Sequence, residues 1–163
     1  MQSLTTLDVS PHKRPDESFD HYLKRIACYG SYNRESQAVL DKVYGNSRKT
    51  QGLAVLRGLL QAIDIQVSGF SSLSIEYSGG GDSGSIGEIN YSTDSLSKEA
   101  QKQIDCLLDV VGWDIAYGSH PGFEINEGGQ GTIDCQKNED GVWTLSIHHE
   151  ENIIQTECTE YEL

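Results

Sequence analysis

The chain has 163 residues, of which 36% are hydrophobic, and it carries a formal net charge of -13 at pH 7. A chain of this length is typical of one domain that buries a core without disulfides or metals. No apolar run reaches the roughly 18 residues of a membrane span, and the N-terminus lacks the apolar stretch of a secretion signal, so we expect a cytoplasmic protein.

The charge is distributed unevenly along the chain. Residues 1–70 contain nine Lys and Arg against seven Asp and Glu, whereas residues 71–163 contain three against eighteen, a balance of -15. Such a field repels phosphate groups, so we expect no direct binding of nucleic acid or of a membrane surface. It favours a basic partner, such as a nucleic-acid-binding protein, or it only keeps the protein soluble. The sequence does not indicate an oligomeric state.

The N-terminal part of the chain predicts an arm followed by helices. Residues 1–15 contain Pro11 and Pro15 beside charged residues and show no apolar periodicity, which predicts a flexible arm. From residue 16, apolar residues recur at helical spacing in three stretches, at about 16–26, 33–44 and 47–63. We therefore expect a single α+β domain over residues 16–163, with residues 16–63 as its helical part.

Residues 71–163 predict an acidic part in which strands flank one long helix. Alternating apolar residues predict strands at 71–78 and 87–92, joined by a long loop from Gly79 to Gly84. A helix is predicted from Ser97 to Gly118, followed by strands at 132–136, 142–149 and 153–161. The predicted fold class is α+β: N-terminal helices followed by a ββαβββ core, with a largely antiparallel sheet of about five strands and a long helix packed on one face.

The predicted loop contains the letters GDSG, which surround the nucleophilic serine of chymotrypsin-like proteases. A serine nucleophile needs a histidine base and a carboxylate that orients it, and in that family both precede the serine. The only histidines upstream of Ser83 are His12 and His21, which lie in a polar N-terminal segment. The sequence therefore argues against a protease, and we expect Ser83 to order its loop or to contact a ligand.

Two glycine-rich motifs occur in order, YSGGGDSG at residues 77–84 and HPGFEINEGGQG at residues 120–131. Together they resemble a bacterial and phage domain of unknown function, a family of small intracellular proteins that carry YSGSGDSG, HPGWEIN(D)G and a strand ending in DHNER. The resemblance covers about residues 50–163. Phe123 replaces the family's tryptophan, and HHEEN at residues 148–152 replaces the basic strand end, so a role that needs that arginine is not carried over. The resemblance implies a fold and a candidate surface but no reaction.

The first candidate site is the glycine loop with Asp82 and Ser83. Consecutive glycines can expose backbone amides and form an anion-binding nest. A phosphate loop, however, is followed by a helix and contains a basic residue, whereas a strand follows here and the next basic residue is Lys98. Asp82 and Ser83 therefore either contact a ligand or hydrogen-bond the backbone of their own loop.

His120, Glu124, Asn126 and Glu127 form the second candidate site. A histidine directly after the end of a helix can interact with the last carbonyl groups, which is a structural role. The same four side chains supply an imidazole, two carboxylates and an amide, which suits a metal ion or acid–base chemistry. Both interpretations stay open at the level of the sequence.

The third candidate site is His148-His149-Glu150-Glu151, and Glu157 and Glu160 of the acidic C-terminal part are further candidate binding residues. Adjacent side chains of a strand point to opposite faces, so His148 is expected on the polar face and His149 on the apolar one. A metal centre of Asp82, His120, Glu124 and His148 would match no known ligand spacing. We therefore expect no metal and no cofactor.

These observations favour a small acidic binding protein that acts through protein–protein interaction. Clustered carboxylates can imitate phosphates, so one specific hypothesis is a DNA mimic of phage or mobile-element origin that inhibits a nucleic-acid-binding host defence protein. The alternative is a ligand-binding protein or a metal-assisted hydrolytic enzyme that uses the glycine loop and the His120 and His148 clusters. The alternative requires Asp82, His120 and Glu124 to converge on one pocket.

Overall fold

A computed structural model describes residues 8–159 of the chain. Its elements are, in chain order, α1 (Phe19–Ile26), α2 (Arg34–Tyr44), α3 (Arg48–Gln66), β1 (Ser72–Gly80), β2 (Ser83–Tyr91), α4 (Lys98–Ser119), β3 (Gly129–Lys137) and β4 (Trp143–Glu151). The predicted α+β class is confirmed. Within these residues, none of the helices is both long enough and apolar enough to cross a membrane.

All four helices begin at a polar residue that caps the free N–H groups of the first turn. The side chains of Ser18, Asn33, Ser47 and Ser97 each accept a hydrogen bond from the backbone N–H three residues further along. Replacing such a cap by alanine costs about 1 kcal/mol of stability. The helices predicted at 16–26, 33–44, 47–63 and 97–118 are confirmed to within a turn.

The four strands form one antiparallel sheet in the order β2-β1-β3-β4. β1 pairs with β2 through a hairpin and with β3 after the connection that contains α4. The register of β1 against β2 shifts between Ile75 and Tyr77, which places a bulge of β2 opposite Glu76. β2 and β4 are the edge strands of this sheet.

The helices lie against one face of the sheet, and the core fills the space between the two layers. Leu73, Ile75 and Tyr77 of β1 are buried, as are Ile133 and Cys135 of β3. They belong to the same hydrophobic cluster as the buried side chains of α3 and α4. Among the described residues, no helix covers the opposite face of the sheet, which carries polar side chains.

The fifth strand, predicted at 153–161, is wrong for the described residues. Residues 152–159 have no regular structure, and Ile153 and Ile154 are 85% and 73% exposed. Residues 160 and 161 lie outside the described part. The physical reason is that two adjacent isoleucines point to opposite sides of a strand and polar residues follow them, so a strand here would bury no apolar face.

The long loop predicted from Gly79 to Gly84 is also wrong. β1 continues to Gly80 and β2 begins at Ser83, so only Gly81 and Asp82 connect the strands. Both connecting residues have positive φ, 61° and 64°. This is the backbone pattern of a type I′ turn, whose twist matches that of the paired strands.

Part of the segment predicted as a flexible arm is packed against the helices. Val9 is buried, and the Tyr22 hydroxyl donates to the Pro11 carbonyl at 2.8 Å. The Arg25 guanidinium donates to the carbonyls of Ser10 and His12. Residues 9–12 of the predicted arm therefore contact α1, and residues 1–7 lie outside the described part.

Candidate functional site

The two glycine-rich motifs meet at the end of the β1–β2 hairpin. The N–H of Gly81 donates to the Asn126 carbonyl at 2.7 Å, so the loop at residues 120–128 lies against the hairpin. Gly128 has a φ of 74°, and a Cβ at this position would overlap the carbonyl oxygen of Gly79. Glycine thus allows the two backbones to approach each other closely. This contact accounts for the two motifs without an anion-binding loop.

Asp82 and Ser83 lie at the tip of the hairpin and are exposed. The Ser83 hydroxyl donates a long hydrogen bond of 3.4 Å to the Gly80 carbonyl, within its own turn. Neither residue lines the cavity that lies beside the loop at residues 120–128. For Ser83, the geometry supports the local role.

His120 ends α4, and its ring lies in a cavity beside the sheet. Its backbone N–H donates to the Ala116 carbonyl at 2.8 Å, a main-chain bond that does not involve the imidazole, so the structural role predicted for the side chain stays a prediction. The cavity has a volume of about 360 Å³. We call it the histidine cavity. The polar residues that line it include Ser119, His120, Asn126, Glu127, His149 and Glu151. His120, Asn126 and Glu127 of the second candidate site are therefore together.

A hydrogen bond across the sheet holds His149 at the wall of this cavity. The Tyr77 hydroxyl lies 2.9 Å from Nδ1 of His149. Tyr77 of β1 and His149 of β4 both oppose Gly131 of the intervening strand β3. A Cβ at Gly131 would lie 2.6 Å from the Tyr77 hydroxyl oxygen. The missing side chain therefore leaves the gap through which tyrosine and histidine reach each other.

The two histidine rings of the cavity are stacked, and His149 is kept neutral. Its ring and that of His120 have centroids 4.0 Å apart and planes 12° apart. Burial lowers the pKa of His149 and the nearby His120 lowers it further, while Glu151 acts in the opposite direction. Burial also raises the pKa of the Tyr77 hydroxyl. At neutral pH the pair is thus a neutral imidazole and a protonated phenol.

The two stacked histidines are not oriented as ligands of a common metal ion. An imidazole binds a metal through a lone pair in the plane of its ring, so two parallel stacked rings do not direct their lone pairs at one ion. His148 projects from the opposite face of the sheet and cannot join His120. In the described part of the chain, no group of three or more His, Cys, Asp or Glu side chains is arranged to hold a metal ion.

Glu124 lies outside the histidine cavity, between the hairpin and α4. A Cβ at Gly84 would lie 3.1 Å from both the Glu124 Cβ and the Trp113 ring, which locates the glutamate beside them. Its Oε2 atom is buried and has no hydrogen-bond partner among the described residues. The hydrolase alternative requires Asp82, His120 and Glu124 to line one pocket. His120 lines the histidine cavity, whereas Asp82 and Glu124 do not, so this requirement is not met.

The uncovered face of the sheet, which we call the open face, presents alternate residues of all four strands. Its main polar residues are Glu76, Ser78, Glu88, Gln130, Thr132, Asp134, His148 and Glu150. A depression of about 340 Å³ on this face is lined by Glu76, His148 and Glu150, among others. Gln130 donates to Glu150 at 3.2 Å, and Asp134 accepts from the hydroxyls of Ser74 and Thr132.

The carboxylates of the open face have no cationic partner among residues 8–159. Within residues 71–159, Asp114 is the one carboxylate that forms an ion pair, at 3.0 Å from Arg48 of α3. Glu76, Glu88, Asp134 and Glu150 form none. The negative charges of these four side chains are therefore not neutralised within the described residues, and the other acidic side chains of residues 71–159 lie elsewhere on the protein.

The predicted acidic residues of the C-terminal part separate into different surroundings. Glu150 lies on the open face, whereas Glu151 lines the histidine cavity, because adjacent residues of β4 point to opposite faces. Glu157 is exposed in the irregular segment after β4, and Glu160 lies outside the described residues. β4 thus carries acidic side chains to both faces of the sheet edge.

The sequence pattern does not mark Tyr77, Ser119 or His149 as site residues. Tyr77 and His149 each continue a series in which every second residue of the strand is apolar, so the pattern assigns them to the core face. The available signal is that a buried tyrosine hydroxyl and a histidine on an apolar face each need a hydrogen-bond partner. Only the strand register identifies them as partners of each other.

No protein-family model, no curated protein and no solved structure matches this chain. The resemblance drawn from the two glycine motifs therefore stays a prediction.

Proposed function

We propose that this protein is a binding protein whose open face docks onto a basic surface of a partner protein. The observation that carries the proposal is that four carboxylates, Glu76, Glu88, Asp134 and Glu150, share one uncovered face of the sheet and have no cationic partner among the described residues. Unpaired like charges repel one another in the free protein. A cationic partner that neutralises them is attracted over a long range and held in a defined orientation.

In its finer form, the proposal is that the open face imitates the phosphates of DNA. A phage or mobile-element protein of this kind would inhibit a nucleic-acid-binding host defence protein. Strand spacing and rise place Glu76, Asp134 and Glu150 roughly 7–14 Å apart. The grooves of B-DNA, about 6 and 12 Å wide, separate rows of phosphates by similar distances. The spacing of the carboxylates is thus compatible with a surface that normally binds a duplex.

The test compares two variants that lose the same charge at different places. The face variant carries Glu76→Gln, Glu88→Gln, Asp134→Asn and Glu150→Gln. The control variant carries Asp94→Asn, Glu99→Gln, Glu139→Gln and Asp140→Asn, which are exposed and lie outside the open face. Each protein is used to capture partners from a bacterial lysate, and the affinity for the captured partner is then measured with purified components at two salt concentrations.

We expect the wild type and the control variant to capture the same basic protein, and the face variant to bind it at least tenfold more weakly. Equal losses of affinity in both variants would mean that net charge alone matters, which contradicts docking by a specific face. Full binding by the face variant would contradict it as well, and so would the absence of any captured protein with all three baits. If a DNA duplex does not compete with the wild type, the mimic is wrong while the docking proposal stands.

A further inference from the structure

We propose that the histidine cavity holds the guanidinium group of an arginine side chain that the partner protein inserts. This inference rests on the proposed function, because it assumes a basic partner, and it names the residue by which that partner is anchored. The cavity lies on the other side of edge strand β4 from the open face. Glu150 and Glu151 point to these two sides, so a partner on the open face can reach around the edge.

The charge of the cavity selects a cation. Glu127 and Glu151 line it, and no lysine or arginine does. His149 is neutral near pH 7, because burial and the neighbouring His120 both lower its pKa. An anion would therefore meet carboxylates without a compensating positive charge, whereas a cation would meet two partners of opposite sign.

The shape of the cavity favours a guanidinium over an ammonium group. His120 and His149 both line the cavity with parallel rings, each of which covers one face of the other, and the hydrogen bond between Tyr77 and His149 holds the His149 ring in place. A guanidinium is planar and weakly hydrated, so it stacks on aromatic rings, while an ammonium is a compact and strongly hydrated charge. The volume of about 360 Å³ suits one side chain with its nearest backbone and is small for a larger ligand.

The cavity also offers acceptors for the five N–H donors of a guanidinium. The carboxylates of Glu127 and Glu151 are exposed and form no ion pair among the described residues. The Oγ atom of Ser119, another lining residue, is buried and has no hydrogen-bond partner in the described part of the chain. A buried hydroxyl without a partner is costly, so a bound donor at this place would satisfy it.

The experiment titrates the isolated protein with N-acetyl-arginine N-methylamide and follows the imidazole resonances by NMR at pH 7.5. The lysine amide, which has the same charge without the plane, and the citrulline amide, which has the plane without the charge, are the comparison ligands. We expect saturable shifts of His120 and His149 with the arginine amide, with an affinity at least about fivefold higher than for either comparison ligand. Glu151→Gln should weaken the preference over the uncharged citrulline amide, because it removes one of the two carboxylates that select a cation, and Glu150→Gln on the open face should leave that preference unchanged.

Three results would overturn the arginine anchor: no saturable shift, equal binding of the lysine amide, or an unchanged preference in Glu151→Gln. Because the ligand is a small amide, these results do not depend on the macromolecular partner. Failure here with normal capture by the open face would remove the anchor and leave the proposed function intact. If no partner is captured but the arginine amide binds normally, docking by the open face is overturned, while the cavity remains a site for a guanidinium group.

Discussion

His149 is an ionisable residue that its neighbours hold in the neutral form. The stacked ring of His120 and the burial of the imidazole both disfavour its cation, and Glu151 compensates only in part. Its pKa in the folded protein is therefore below the value of about 6.5 for an unfolded chain. This residue contributes stability that is complete above pH 6.5 and is lost as the pH falls towards the folded-state pKa.

Replacing His149 by Asn should flatten the pH dependence of stability. Asparagine keeps an acceptor near the position of Nδ1 for the Tyr77 hydroxyl, but it cannot be protonated. Urea unfolding at pH 7.5 and pH 5.5 measures the loss of unfolding free energy, which we expect to be smaller for His149→Asn than for the wild type. His148→Asn, on the exposed opposite face, is the control and should keep the wild-type slope. Equal slopes for all three proteins would contradict this account.

Glu17 and Arg25 form a buried ion pair. The side chains are 3% and 8% exposed, and the Arg25 Nε donates to Glu17 Oε1 at 2.8 Å. The hydrogen bond from Arg25 lowers the pKa of Glu17 to about 2, so the pair stabilises the fold above pH 4.5 and loses this contribution as the pH falls towards 2.

Glu17→Gln should lower the free energy of unfolding by about 3–5 kcal/mol, because it leaves the buried Arg25 charge without its carboxylate. Asp20→Asn breaks the ion pair of Asp20 with Lys24, two side chains that are 64% and 66% exposed, and should cost far less than Glu17→Gln because solvent screens an exposed pair. Denaturant unfolding at pH 7 measures both. A small effect of Glu17→Gln would show that the carbonyls of Ser10 and His12 satisfy Arg25 by themselves.

At the scale of elements, the β1–β2 hairpin and the loop at residues 120–128 depend on each other. The loop returns the chain from α4 to β3, and its Asn126 carbonyl accepts the hydrogen bond from the hairpin turn at Gly81. Gly128 then passes directly over Gly79. The position of this loop also sets one wall of the histidine cavity, so a local steric change here reaches the site.

Gly128→Ala should destabilise the protein more than Gly141→Ala does. Both glycines have positive φ, 74° and 78°, but an added Cβ meets nothing within 4 Å at Gly141 and overlaps Gly79 at Gly128. The control substitution costs only the left-handed backbone, about 1–2 kcal/mol. The test substitution adds a displacement of the loop, worth about a further 1–3 kcal/mol. Equal losses in thermal or denaturant unfolding would mean that the loop yields without cost.

At the scale of the whole molecule, the main feature is a separation of charge between the helical part and the sheet. The formal net charge is -13, and residues 71–163 carry a balance of -15. Arg48 of α3 pairs with Asp114, and Lys137 pairs with Asp64 of α3 at 2.5 Å, so two ion pairs join α3 to this part. The remaining carboxylates repel one another in the folded state.

Added salt should therefore stabilise the protein at pH 7. Raising the ionic strength from about 10 mM to about 150 mM shortens the screening length from about 30 Å to about 8 Å, which weakens repulsion between separate carboxylates. We expect the midpoint of thermal unfolding to rise with NaCl, and to rise less for the face variant than for the wild type. A midpoint that falls with salt would mean that ion pairs outweigh the repulsion.

The helices and the facing of the strand residues could be predicted from the sequence, because both depend on residues that are close together in the chain. The helices follow from apolar spacing and from caps such as Ser97, and both signals act within one or two turns. Alternation correctly separated His148 from His149. The same local rules failed after β4, where adjacent Ile153 and Ile154 resemble a strand in composition but offer no face to bury.

Only the tertiary structure decided the site, because its contacts join residues that are distant in the chain. Tyr77 and His149 are 72 residues apart, and they meet only because the register places Gly131 between them. The glycines predicted a loop, because the sequence does not distinguish a glycine that supplies a positive φ from one that makes room for another backbone. Which of these it supplies depends on what packs against it, and that is a property of the folded chain.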